Sequence, residues 1–259
     1  MSDDGEPRVD QRPSVASKIV AILNAFRPSV SEMSLNQLAR RSGLPVSTTY
    51  RHASELVELG VLETGAKGGY RVGLRLWEIA SLAERGLTLR EIAQPYMLDL
   101  YEATHENVHL AVLDGHEALY VEKTTGRTSV PVKSREARRL PLHATGVGKV
   151  LLAYSPEEFV REIIERGLPS FTPNTIVVPA ELQRALSDVR RNGFARSQDE
   201  LTAGTVAVAA PVRNGSGDVV AALSIVGRSG QIDPVRLAPA VRTAALGISR
   251  RCPPDTRHR

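Results

Sequence analysis

Two stretches of the 259-residue sequence concentrate side chains able to do chemistry. In the first, Pro45 is followed by Val46, Ser47, Thr48, Tyr50, Arg51 and His52 at the start of a helical pattern. Hydroxyls there can donate to phosphates or base edges, and an arginine can grip a phosphate or pair bidentately with guanine. Lys67, set among Gly65, Gly68 and Gly69, is a cation on a loop of small residues, suited to backbone phosphate or the minor groove. In the second stretch, Gly146-Val147-Gly148-Lys149 follows Thr145. A nucleotide-binding P-loop needs a glycine five residues before the Gly-Lys pair and Ser or Thr after it; His143 and Val150 stand there instead. What survives is a helix opened by small residues, whose unpaired N–H groups suit a carboxylate. Close packing of the helix start is the competing reason for glycine at these positions.

Other chemistries find little support. There is no G-x-S-x-G nucleophile elbow and no glycine-rich dinucleotide fingerprint after a strand. Asp199 and Glu200 are adjacent, so in an extended segment they point to opposite faces; they are read as capping or solvating a loop rather than orienting a ligand. His109 and His143 lack a matched third ligand and are read as partly buried polar residues, not metal ligands. No cofactor or metal is expected. For the first stretch the bland alternative is that Ser47 caps the helix and Arg51 pairs with Glu55 one turn on.

The elements that must position these residues follow from periodicity. Residues 17–26 carry Ile19, Val20, Ile22, Leu23 and Phe26 at helical spacing, with Ser17 as N-cap and Pro28 as terminator. Ser34 and Gln37 form a capping-box pattern for a short helix that Gly43 stops. A second helix runs from Pro45 to Gly60 with Leu44, Thr49, Ala53, Leu56 and Val57 as its inward stripe, and two short strands flank the glycines of 65–69. Helix, glycine turn, helix and glycine-rich hairpin are the order of a winged helix-turn-helix. Residues 74–83 form an amphipathic linker helix holding Trp77, which packs either on a second copy of the chain or on its own domain. Gly86 breaks it, and a helix resumes over 89–104. Alternation then predicts strands at 107–113, 118–123, 129–133, 194–198, 206–212 and 219–226, with hairpin turns at Asp114-Gly115 and Asn214–Gly217. Helices are expected at 146–154, 156–166, 179–192 and 234–250, giving an α+β class with a mainly antiparallel sheet.

Composition agrees with a chain of one or two globular domains: 42% hydrophobic, 24% charged, and a single cysteine, Cys252, which excludes a disulfide framework. No apolar run approaches the roughly 20 residues of a membrane span, and the polar N-terminus lacks a signal-peptide core, so a cytoplasmic protein is expected. The net charge of +4 is concentrated. Residues 12–75 hold nine basic side chains against four acidic ones, an excess of five where phosphate contact is suspected.

Two passages carry a resemblance: LARRSGLPVSTTYRHASELVELGVLE in the winged helix, and LHATGVGKVLLA (142–153) followed by ARSQDELTAGTVAVAAPV (195–212). In order and spacing over roughly 14–251, the chain resembles the IclR family of bacterial transcriptional regulators. The resemblance implies a DNA-binding domain at 14–73, a linker helix at 74–88 and a GAF-like effector-binding domain at 89–252, with disordered ends at 1–13 and 253–259. It implies a ligand-responsive regulator, expected to be a repressor, on a palindromic operator of double-stranded DNA. Such a protein works as a homo-oligomer, dimer or dimer of dimers, and senses a small organic acid. DNA contacts are expected from Ser47, Thr48, Tyr50, Arg51 and Lys67. By the same resemblance, Gly146 and Val147 fall where backbone N–H groups meet the acid, Ser197 where relatives can carry an acid, and Ala207 where they can carry cysteine. Ser224 falls on a ligand-contacting serine and Val226 where a second serine can occur. The apolar departures imply an acid bulkier or more hydrophobic than glyoxylate or pyruvate. An effector-independent DNA-binding protein is the alternative, and a small-acid enzyme a more distant one.

Overall fold

The computed structural model describes residues 13–27, 30, 32–82, 84–125 and 139–254, with the backbone alone for 84–87. Its contacts form two compact units that divide between Ala83 and Glu84. The expected 1–12 and 255–259 ends and the strand at 129–133 lie outside the described residues.

The first unit runs α1 (Val15–Asn24), α2 (Leu35–Ser42), α3 (Val46–Glu58), β1 (Leu62–Thr64), β2 (Tyr70–Val72) and α4 (Leu74–Ala80). The N-cap of α1 is Ser14, whose hydroxyl accepts from Ser17 N at 3.1 Å; Ser17 is three residues inside, not the cap. The helix ends at Asn24, ahead of Pro28, which lies outside the described residues. Ser34 and Gln37 close the capping box at the head of α2, and Gly43 takes φ +71° to end it, as only a residue without a Cβ does cheaply. Ile22, Leu38, Ala53, Leu56 and Leu62 form the core between the helices and the hairpin.

The second unit runs α5 (Glu84–Thr104), β3 (Asn107–Asp114), β4 (Glu117–Thr124), β5 (Arg139–Pro141), α6 (Gly146–Ala153), α7 (Glu157–Glu165), α8 (Pro179–Asn192), β6 (Ala195–Gln198), β7 (Thr205–Arg213), β8 (Val219–Arg228) and α9 (Pro234–Ser249). Gly86 does not break the chain here: α5 runs through it, and the interruption falls after Ala80. A glycine inside a helix costs only about 1 kcal/mol against alanine, which tertiary packing readily overrides. At the β7–β8 turn, Gly215 N donates to Pro253 O at 3.4 Å.

The described strands pair antiparallel in the order β5-β4-β3-β8-β7-β6. Period-2 alternation gives the sheet two apolar faces. Val108, Leu110, Val208, Val212, Leu223 and Ile225 meet α5 and α9 on one side. On the other, Ala111, Ala118, Ala209 and Ala222 face Val147, Val150 and Leu151 of α6 and Leu182, Leu186 and Val189 of α8. The second face is therefore built from small residues, and that leaves room against α6.

Candidate functional sites: a polar helix face and an apolar cavity

Helix α3 begins behind Pro45 with no side-chain cap. Thr49, His52, Ala53 and Leu56 are buried on its inner side, and the Thr49 hydroxyl donates to Pro45 O at 3.0 Å. His52, left out of the expected inward stripe, sits within it, because position 52 shares a face with 49 and 56 at three- and four-residue steps. Ser47, Tyr50 and Arg51 are exposed, and Thr48 is half-buried. Ser47 does not cap the helix, and the Glu55 carboxylate stands 3.6 Å from His52 Nδ1, with no ion pair to Arg51 among the described residues. The hydroxyls of Ser47 and Thr48 and the Arg51 guanidinium thus have no partner among the described residues.

The wing between β1 and β2 is held by a residue that periodicity gave no reason to notice. The Glu32 carboxylate accepts from Lys67 N at 3.1 Å and Gly69 N at 2.7 Å. A Cβ on Gly69 would lie 2.8 Å from Met33 O, so that position requires glycine, whereas one on Gly65 would meet the Glu32 carboxylate at 2.2 Å and displace it from the turn. The turn leaves the Lys67 side chain exposed at its tip. Arg71 is committed to Glu63 at 2.6 Å. The Glu63 carboxyl is held below its ordinary range by the Leu74 N–H first and by Arg71 second.

In the second unit, a cavity of about 400 Å3 opens between the small-residue face of the sheet and the start of α6. Gly146, Val147, Ser197, Ala207, Ser224 and Val226 all line it, brought together from α6 and three adjacent strands. Thr145 caps α6: its hydroxyl donates to Pro141 O at 2.9 Å and accepts from Gly148 N at 3.1 Å. The N–H groups of Gly146 and Val147 precede the first helical bond, Lys149 N to Thr145 O, and so lack intrahelical acceptors. Packing is a separate reason for the glycines. A Cβ on Gly148 would stand 2.4 Å from Leu142 O, whereas one on Gly146 would meet Ala209 Cβ at 3.4 Å. The Ser197 hydroxyl donates to Ala144 O at 3.3 Å.

A buried ion pair supports the cavity wall. Lys149 Nζ donates to both oxygens of Glu200, at 2.6 and 2.9 Å. Burial lowers the Lys149 ammonium from its ordinary value, and the Glu200 charge pulls it back up. Beside Glu200, Asp199 adopts φ +57° and its carboxylate accepts from Gly204 N, Thr205 N and the Ser229 hydroxyl. Asp199 therefore ties its own loop, whereas Glu200 ties that loop to α6, and Leu201 and Thr202, which follow them, line the cavity. The one clue in the sequence was a lysine inside an otherwise apolar helix. His109 is fully buried, and His143 bonds Pro169 O at 3.0 Å through Nε2. Among the described residues no His, Cys, Asp or Glu cluster could hold a metal ion.

Comparison with known proteins extends over both units. Residues 15–65 match the family model of the IclR helix-turn-helix domain, and residues 82–250 that of the bacterial transcriptional regulator IclR C-terminal region. The chain is 32% identical over 238 residues to the transcriptional regulator XynR of Escherichia coli (strain K12), covering 90% of this chain and 94% of the relative. It is 35% identical over 240 residues to KipR of Bacillus subtilis (strain 168), covering 90% and 95%. With the transcriptional repressor AllR of Klebsiella pneumoniae it shares 32% over 249 residues, covering 94% and 92%. Among solved structures it is similar to an IclR homolog from Microbacterium hydrocarbonoxydans complexed with 4-hydroxybenzoate, with TM-score 0.85 and 34% identity, covering 92% of this chain and 98% of that one. The Thermotoga maritima IclR structure gives TM-score 0.73 at 30% identity, covering 91% and 97%. A free polar face on a winged helix, a ligand-sized cavity and these matches lead to one conclusion: the chain belongs to the IclR family of bacterial transcriptional regulators, DNA-binding proteins rather than enzymes.

Proposed function

We propose that this regulator represses transcription from a palindromic operator as a homodimer or dimer of dimers in the cytoplasm, and that a small organic acid bound in the cavity changes its grip on DNA. The cavity carries the reading: two helix-start N–H groups, at Gly146 and Val147, open onto a chamber whose further walls include Ala207 and Val226. A carboxylate set there gains hydrogen bonds and a favourable dipole. Ser197 and Ser224 supply polar contacts, and the apolar walls select an acid larger than glyoxylate or pyruvate. The 4-hydroxybenzoate held by the Microbacterium relative gives aromatic acids first place in a screen. On the DNA side Ser47, Thr48, Tyr50 and Arg51 meet the major groove and Lys67 a phosphate. Leu74, Trp77, Ile79 and Leu82 are all exposed, a run of apolar surface that supports contact with a second copy. Effector occupancy then alters the spacing of the paired reading helices, which must fit half-sites one helical turn apart.

The test is binding of the purified protein to DNA flanking its own gene, against excess random DNA, with and without a panel of aliphatic and aromatic acids. Specific binding altered by one acid is the expected result. Specific binding that no acid alters would leave an effector-independent DNA-binding protein, and calorimetric binding confined to two- and three-carbon acids would overturn the size argument.

A further inference from the structure

The turn between β1 and β2 carries one charged side chain, Lys67, among glycines and Ala66. Two bonds of its own close it: Gly65 N donates to Gly69 O at 2.8 Å, and Gly68 N to Gly65 O at 3.0 Å. A ribbon of two three-residue strands has little else to hold its tip still. The rest of the restraint comes from the segment ahead of α2. Met33 exchanges both backbone bonds with Tyr70, at 2.9 and 2.7 Å, and its side chain, 1% exposed, is set in the core of the first unit. That registers Glu32 beside the turn, where a single oxygen, Oε1, accepts from both Lys67 N and Gly69 N. The tie uses the Lys67 backbone and not its ammonium, so it fixes where the cation starts without consuming it.

We propose that Glu32 is a positioning residue for DNA binding: by clamping the wing turn to the frame of the helix-turn-helix, it presets the approach of Lys67 to a backbone phosphate. The inference rests on the phosphate role given to Lys67 above. A turn of small residues left free would surrender backbone freedom on docking, whereas a clamped turn has surrendered it on folding. The charge of Glu32 sharpens the case. A carboxylate beside a DNA-facing cation repels the phosphates that the cation attracts, so by charge alone removal of Glu32 would strengthen binding. Clamping predicts the opposite sign. Gly65 separates the two effects within the chain. A methyl there would stand 2.2 Å from the carboxylate and push it out of the turn with its charge intact. Gly65 does not adopt a left-handed φ, so its backbone accepts alanine.

Fluorescence anisotropy with the full chain and a labelled random-sequence duplex measures affinity as a function of salt. Lys67→Ala is expected to weaken binding roughly three- to tenfold at low salt, and to reduce the slope of log Kobs against log salt by about 0.9, the share of one phosphate. Glu32→Ala and Gly65→Ala should each weaken binding by a similar factor and flatten the slope likewise. Neither should add to the loss in a Lys67→Ala background. Glu32→Gln keeps an oxygen able to accept both N–H groups, and should bind at least as tightly as the wild type. The slope separates positioning from mere loss of fold, because an inactive fraction scales the affinity without changing the number of phosphates neutralised. Unchanged or tighter binding by Glu32→Ala, or a loss that persists undiminished beside Lys67→Ala, would overturn the proposal and leave the Lys67 contact standing. If Lys67→Ala changes neither affinity nor slope, the wing contact itself fails and takes the proposal with it.

Discussion

Replacing Glu200 by Gln changes a charge but hardly a volume, and so isolates the worth of the buried Lys149–Glu200 pair. Lys149 is 2% exposed and Glu200 7% exposed, so neither charge has ready access to water. In the variant the burial that already lowers Lys149 acts without the opposing Glu200 charge, and Arg196 adds to it. The stranded ammonium can escape by losing its proton. From an ordinary lysine pKa of about 10.4, at about 1.36 kcal/mol per unit, that escape costs about 4.6 kcal/mol at pH 7 and about 2 kcal/mol at pH 9. These figures are ceilings, and the first agrees with the roughly 3–5 kcal/mol found for breaking buried pairs. The sign follows from linkage. A lysine with a depressed folded pKa costs nothing above its unfolded value, and the penalty grows as pH falls toward the folded one. Glu200→Gln should therefore lose several kcal/mol in urea unfolding followed by ellipticity at pH 7, and recover a large part of it at pH 9. The Lys149→Met/Glu200→Leu double variant should recover most of the loss at either pH, since no charge is left buried. A loss independent of pH, or below about 1 kcal/mol at pH 7, would refute the reasoning.

Three further outcomes are expected. Arg51→Ala should lose about 1–3 kcal/mol of sequence discrimination in competition binding, whereas equal weakening on operator and random DNA would reassign Arg51 to phosphate. Gly148→Ala forces a methyl against Leu142 O and should destabilise the chain by about 1–3 kcal/mol in thermal melts; an unchanged midpoint would mean that α6 can shift freely. Trp77, 70% exposed, should tolerate replacement by Ser without loss of fold, yet Trp77→Ser should shift sedimentation toward monomer; unchanged sedimentation would place the oligomer contact elsewhere.

What the sequence disclosed was local. The Ser34–Gln37 capping box, the Gly43 stop and the alternating strands each leave a signature within a few residues, because backbone hydrogen bonding and conformational freedom act over that range. Ser14 and Ser17 show the resolution of such signals: residue type pointed to Ser17, and the cap falls on the serine one turn earlier. His52 was misplaced because polarity was weighed above its position on the helix. What the sequence hid was long-range. Glu32 meets a turn 35 residues away, and Lys149 meets Glu200 at a separation of 51. Neither pairing has a period to detect. The glycine-rich helix start marked Gly146 and Val147, but the other cavity residues were singled out by family resemblance; no spacing rule brings 146, 197, 207 and 224 to one place.

The uneven sheet has an evolutionary consequence. Its α5/α9 side is filled by branched and long side chains, and truncating any of them would leave a void costing roughly 2–5 kcal/mol. Its α6 side carries Ala207 and Ser224, residues with little volume to lose and open space before them. Substitutions there alter the shape and polarity of the chamber at small expense to folding. One layer of the protein thus carries the burden of stability while the opposite layer is left free to drift. That division lets a single architecture acquire new chemical tastes without first becoming more robust.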